Sequence, residues 1–491
     1  MLFNSLRFLL FFPTALILFH VLPKRAKGLW LLVCSYVFYL SWNPRYIVLI
    51  LFSTLVTYLC ALGMGPVREG GSGGKRRRAF LIAAVVLNLG VLFLFKYFRF
   101  ACSTGIAALS LLRISAPMPR WDPVLPVGIS FYTFQTIGYV IDVYRGTVPP
   151  ERNLPAYALF VSFFPQLVAG PIERSGSLLS QLKELPRPSY RAFRHGFAVM
   201  LWGYFMKMVI ADRAAIFVDT VYGSPEQYPG AFIVTATVLF AFQIYCDFAG
   251  YSTIAVGAAE MLGIRIAKNF DTPYLSTSVR DFWKRWHITL NTWFVDYVYI
   301  PLGGSRKGRA VRYRNILIVF LLSGLWHGAR WSYVLWGGLN GLFQIAEDLW
   351  KNAPFARKRK SPDSFAARFA KTAGTFVLID FTWLFFRSNG LRHSAALLKS
   401  ILTTFNPWIL FDGSLASCGL NEPELHALLV SLLVLSAVGI LNRRGVRISE
   451  RLERQPLVFR WAVYIGSVLA ILVFGVWGSV YNSSNFIYFQ F

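Results

Sequence analysis

The 491-residue chain is 55% hydrophobic and 17% aromatic but only 15% charged, whereas a soluble domain carries about a quarter charged residues. Its 50 Lys and Arg against 23 Asp and Glu leave a net charge of +27. Those cations fall in short loops between apolar runs, a positive-inside pattern that contacts anionic headgroups, not the basic face of a nucleic-acid binder.

The first run, "SLRFLLFFPTALILFHVL" (5–22), has almost no basic residues before it and no small-x-small cleavage site after it. It therefore reads as a retained first helix and not as a secretory signal. Runs such as "YIVLILFSTLVTYLCALGMG", "AFLIAAVVLNLGVLFLFKYF" and "WAVYIGSVLAILVFGVWGSV" follow, each near the roughly 20 residues that span a bilayer as helix. The expectation is an all-α, polytopic integral membrane protein of about 11 spanning helices plus short re-entrant and interfacial ones. Basic loops 23–28 and 68–78 face the cytoplasm and the N-terminus faces out; segments 172–195, 264–285, 304–314, 351–371 and 442–460 fit the cytoplasmic side. Cys34, Cys60, Cys102, Cys246 and Cys418 are odd in number and lack CxxC spacing, so neither a disulfide framework nor a metal site is expected.

"LPVGISFYTFQTIGYVIDVYRG" (125–146) reads as a discontinuous helix and "FFPQLVAGPIER" (163–174) as a re-entrant segment, both lining a cavity with residues such as Gln135. "FAFQIYCDFAGYSTIAVGAAEMLG" (240–263) places Gln243, Asp247 and Ser252 in an apolar span. Asp247 there requires a partner or a wet pocket, and a tie to a cation is the structural alternative.

In "YLSTSVRDFWKRWHITLNTWF" (274–294), Ser278 and Asp281 make a capping box. One continuous helix from that point would align Arg280, Lys284, His287 and Asn291 on one face. The face is either an interfacial anchor or a cation surface for the phosphates of a cofactor. The stretch "ITLNTWFVDYVYIPL" is too short to cross twice and should return to the same side.

Loops 304–314 and 351–371 share a side, so the apolar stretch between them crosses an even number of times. It has room for two helices of roughly 12 to 18 residues, each short of a span. "HGARW" is the natural break, so His327 should sit at the tip of a short hairpin dipping into the membrane, at the bottom of a funnel. An ionisable ring at that depth is functional by default; a hydrogen bond bridging two helices is the structural alternative. No Walker loop, GxSxG elbow or HExxH is present. Histidines, hydroxyls and amides suit acid–base acyl transfer better than redox or phosphoryl chemistry. A transporter gated by His327 and Asp247, or a scaffold with a structural histidine, remain alternatives at this point.

The segments "LPVGISFYTFQ", "FFPQLVAGPIER", "FQIYCDFAGYS", "NFDTPYLSTSVRDFWKRWHITLNTWFVDYVYIPLGGSR", "LSGLWHGARWSYVLWGGLNG" and the terminal "FIYFQF" resemble the membrane-bound O-acyltransferases. Within them the chain is similar to the bacterial branch of alginate acetylation and teichoic-acid D-alanylation. The resemblance implies a single domain, 1–491, with N-terminal helices (1–123), a catalytic core (124–350) and C-terminal helices (351–491) around a central tunnel. It implies His327 as catalytic residue and His287 as the second characteristic position, near the cytoplasmic opening. Lys284, Arg285, Arg306, Lys307 and Arg309 would hold donor phosphates, and Gln135, Gln243, Asp247, Trp326 and Asn291 would line the tunnel. The donor implied is acetyl-CoA, as substrate with no bound cofactor. The acceptor implied is an exported polysaccharide, reached directly or through an extracytoplasmic acyltransferase partner, at the bacterial inner membrane. D-Alanyl transfer from a carrier protein is the alternative within the family.

Overall fold

The structure is a computed structural model that describes residues 1–65, 74–353 and 364–477. The terminal "FIYFQF" and parts of loops 68–78 and 351–371 lie outside the described residues. Among the described residues every regular element is helical. Six helices are long and apolar enough to cross a bilayer: Pro44–Met64, Lys75–Leu111, Gly230–Met261, Phe365–Arg387, Glu422–Arg443 and Leu457–Phe474. The chain is a multi-pass helical membrane protein. Contacts divide it into two compact units, residues 1–197 with 255–267 and residues 198–254 with those from 268 onward.

In the first unit, polar groups are spent on open backbone. Arg77 is 9% exposed and donates to Gly65 O (2.6 Å), Met64 O (3.2 Å), Val143 O (2.9 Å) and Tyr144 O (3.1 Å). One guanidinium thus closes the C-terminal ends of two helices, where carbonyls lack helical donors. The 125–146 segment differs from its expected break: Ile129–Arg145 is one continuous helix. Its glycines punctuate the ends instead, with Gly128 at φ 75° and Gly146 at φ 77°. A Cβ on Gly128 would sit 2.7 Å from Leu167 O.

The 163–174 segment is one helical turn, Phe164–Leu167, followed by irregular backbone that is buried up to Glu173. Burial in protein is one of the settings in which non-helical backbone at membrane depth is tolerated. The Leu154–Ser162 helix ends because the Phe164 N–H goes to Ser35 Oγ (3.1 Å), which strips Phe160 O of its helical donor. Gln135 Nε2 (2.7 Å) and Gln166 Nε2 (2.9 Å) donate to that carbonyl instead.

In the second unit, Arg309–His327 and Trp331–Asn352 form the expected hairpin, broken at Gly328–Arg330. The helices are longer than the expected 12 to 18 residues. At 19 and 22 residues they extend about 28 and 33 Å, enough to cross. Arg312 and Tyr313, which read as loop, lie at a helix start and bond Asp348 on the facing helix, at 2.6 Å and 2.9 Å. The two helices meet through glycine. A Cβ on Gly324 would strike Tyr333 O, and one on Gly337 would strike Phe320 O. Small residues that admit backbone contact are how helices associate in lipid.

Gly337→Val should therefore lower thermal stability in detergent, by about 1–3 kcal/mol for overpacking. Gly338→Ala, whose Cβ would meet only Leu321 Cδ2 at an ordinary 3.6 Å, should be near neutral in the same unfolding assay.

Candidate active site

Ser278 caps the next helix as its sequence foretells, its Oγ accepting from Asp281 N at 3.0 Å. The single helical face does not form, however. Val279–Arg285 stops after seven residues, His287 takes φ 44°, ψ 56°, and a second helix runs Ile288–Phe294. Left-handed backbone at a non-glycine residue costs about 1–3 kcal/mol and persists where surrounding bonds over-determine it. Asn269 supplies those bonds. Its carbonyl accepts from Ile288 N (2.8 Å). Its Oδ1 accepts from His287 Nδ1 (3.0 Å), Thr289 Oγ1 (3.0 Å) and Thr289 N (3.3 Å), and its Nδ2 donates to Ser252 Oγ (3.3 Å). With Oδ1 as acceptor, the neutral His287 ring carries its proton on Nδ1 and its lone pair on Nε2.

The break disperses the other members of the expected face. Arg280 and Lys284 are exposed. Asn291 Nδ2 donates to Trp283 O at 3.0 Å, taking the place of a helical donor lost when the chain turns at His287. Arg285 is committed to carboxylates, with Nε on Asp281 at 2.9 Å and Nη1 on Asp271 at 3.1 Å. Partial burial alone would raise the Asp271 carboxyl, but the hydrogen bond and charge of Lys268 and the charges of Arg285 and Arg443 outweigh it and hold it below the usual range.

His327 is the last residue of its helix and 4% exposed. Its ring packs edge-on among Trp326 (5.0 Å, 80°), Trp336 (5.2 Å, 90°) and Phe386 (5.4 Å, 72°). The Gly after it is required, because a Cβ on Gly328 would enter the Tyr333 ring. Behind this box Trp336 stacks on Trp383 at 5.7 Å and 20°. His287, 2% exposed, also packs against Trp326, ring centroids 5.9 Å apart, and on Phe248 at 4.6 Å. Two of the six histidines thus meet one indole.

Of the remaining expected site residues, Trp326 is in the centre, and Asp247 forms a buried ion pair with Lys207 at 2.5 Å, the structural alternative weighed above. Gln243 is buried at 4% exposure. Gln135 belongs to the first unit and serves Phe160 O. Arg306, Lys307 and Arg309 are exposed. Sequence reasoning passed over Asn269, Trp336, Phe386 and Lys207. Lys207 had a visible signal: it is a lone cation within "LWGYFMKMVIA".

A multi-pass membrane protein with two imidazoles enclosed on a common indole has the makings of a buried acid–base centre. Comparison with known proteins gives the family of the chain. Residues 149–358 match the model of MBOAT, the membrane-bound O-acyltransferase family. The chain is 37% identical over 442 residues to the "probable alginate O-acetylase AlgI" of Pseudomonas putida, covering 89% of this chain and 86% of that protein. It is 32% identical over 436 residues to the "peptidoglycan O-acetyltransferase" of Helicobacter pylori, covering 82% and 80%. It is 27% identical over 268 residues to the "teichoic acid D-alanyltransferase" of Bacillus subtilis, covering 52% and 64%. The chain belongs to the membrane-bound O-acyltransferase family. It is an acyl-transferring enzyme, and the transporter and scaffold alternatives fall away.

Asn269→Leu should remove the acceptor that orients His287 and leave Thr289 N–H buried without it, a loss of about 1–3 kcal/mol. Asn269→Asp retains an acceptor oxygen and should recover part of both stability and transfer rate, measured by detergent unfolding and acyl transfer on the same preparations.

Proposed function

We propose that this O-acetyltransferase takes its acetyl group from cytoplasmic acetyl-CoA and delivers it to a hydroxyl of an exported, alginate-like polysaccharide, directly or through an extracytoplasmic acyltransferase partner. His327 is the general base. The observation that carries the reading is the convergence of His287 and His327 on Trp326, inside an aromatic box, in a chain of this family.

The chemistry balances without an external proton. The His327 ring takes the acceptor's hydroxyl proton while that oxygen attacks the thioester carbonyl. The tetrahedral intermediate then expels the thiolate of CoA, which recovers the proton. Positioned proton transfer contributes about 10² to 10⁴ in rate, and holding donor and acceptor together adds to it. His287, locked by Asn269, packs on the same indole as a second imidazole. Protonating both rings would place two cations in a low-dielectric enclosure, which burial and mutual repulsion oppose. His327 is 4% exposed, and limiting bulk water at such a site disfavours hydrolysis of the donor relative to transfer. A passage to this ring from each membrane face belongs to the proposal.

Basic loops on the cytoplasmic side and an outward N-terminus follow from charge bias. Lys284, Arg306 and Lys307, exposed as they are, are suited to donor phosphates, more so than Arg285 with its two carboxylate partners. Acetyl is favoured over D-alanyl because the relatives named for O-acetyl transfer match at 32% and 37% over four-fifths or more of this chain, whereas the D-alanyl relative matches at 27% over half. The bacterial inner membrane is the location that fits these relatives.

In cells, His327→Ala should reduce polymer O-acetylation by at least about a hundredfold while the protein still inserts, as read by ester quantification and membrane fractionation. Normal acetylation by the inserted variant overturns the role of His327.

A further inference from the structure

The second unit buries a cluster of charge that the chemistry above does not use. Lys207 Nζ donates to Asp212 Oδ1 at 2.7 Å and to Asp247 Oδ1 at 2.5 Å. The three side chains are 3%, 7% and 3% exposed. Taking ions out of water is costly even when they pair, and ionisable residues within membrane spans mark function more often than architecture. Their neighbourhood suggests which function.

Lys207 lies in a π-helical stretch, Phe205–Ala211. Such bulges re-aim a helix face and occur frequently at functional sites. Alongside it, glycines bring the Gly230–Met261 helix into backbone contact. A Cβ on Gly203 would lie 2.7 Å from Gly250 O, and one on Gly250 would lie 2.8 Å from Gly203 O and 3.0 Å from Lys207 N. The helix is therefore pinned at Asp247 by charge and at Gly250 by contact.

From that pinned stretch it reaches His287 twice. Phe248, next to Asp247, presses its ring on the imidazole at 4.6 Å and 78°. Ser252 accepts from Asn269, whose Oδ1 in turn accepts from His287 Nδ1. A small slide or rotation of this helix would shift both supports together.

We propose that the Lys207–Asp247 ion pair is a positioning device for the acyl-transfer centre. It sets the register of the Gly230–Met261 helix so that Phe248 and Ser252 hold the His287 ring. The proposal rests on the reading of His287 and His327 as that centre. Lys207 and Asp247 act through the helix, with no role at the reacting atoms.

The test is a double-mutant cycle on the purified full-length chain, with labelled acetyl-CoA and an oligosaccharide acceptor. Asp247→Asn keeps the side chain's shape and removes its charge. It should lower kcat at least about tenfold with the KM for acetyl-CoA changed less than about twofold. In a His287→Gln background the same change should cost less than about twofold more, because residues acting as one unit are non-additive. Phe248→Leu, which leaves the ion pair intact, should show the same pattern. If Asp247→Asn is not monodisperse on size exclusion, Lys207→Gln, which removes the same pair's charge from its other partner, decides the matter by the same pattern. Equal fold-losses in both backgrounds, an effect on KM alone, or an unchanged kcat would overturn the positioning role while leaving the centre intact. A His287→Gln variant with wild-type rate would instead overturn the reading of the centre, and with it the route through His287.

Discussion

The close approach of the Arg309–His327 and Trp331–Asn352 helices is the constraint on which the centre depends. Gly324 and Gly337 let main chain meet main chain, and lipid offers no hydrophobic force to hold a wider gap together. That contact delivers Trp336 to one side of the His327 ring. The Phe365–Arg387 helix adds Phe386 to another. A side chain at the end of a helix would ordinarily be mobile. Here three aromatic rings fix it, and their edge-to-face packing adds to their burial.

The second imidazole is placed by a different device. His287 occupies strained backbone, and Asn269 holds it there through bonds to the imidazole, to Thr289 and to the main chain. Strain over-determined by a polar network is a common signature of a working site. The two devices meet at Trp326, which the hairpin helix carries next to His327 and against which the strained turn sets the His287 ring. In the proposed reaction, aromatic walls around His327 disfavour its charged form, and a general base for acyl transfer to a hydroxyl must be a neutral ring able to accept a proton.

Much of this was legible in the sequence because solvent writes it there. The apolar runs mark spans, since lipid tolerates little else. Ser278 announces a helix start through its own hydroxyl, and "HGARW" marks the hairpin break at His327. What stayed hidden depends on partners distant in the chain. Nothing between Val279 and Phe294 interrupts a helical pattern; the interruption comes from Asn269 after folding. Arg312 reads as loop until Asp348, on the facing helix, pairs with it. Gln135 reads as a cavity residue, yet it serves a carbonyl that Ser35 has deprived of its donor. Asp247 could be recognised as needing a cation and Lys207 as a lone cation in an apolar run, but only the fold pairs them.

The most direct test of the centre is the pH dependence of acetyl transfer from acetyl-CoA to an oligosaccharide by the purified chain, compared with that of His327→Gln. The account requires the wild-type rate to climb as a single imidazole loses its proton, and the variant to lose that climb along with most of its activity. A variant that transfers acetyl at the wild-type rate with the same pH profile would contradict it.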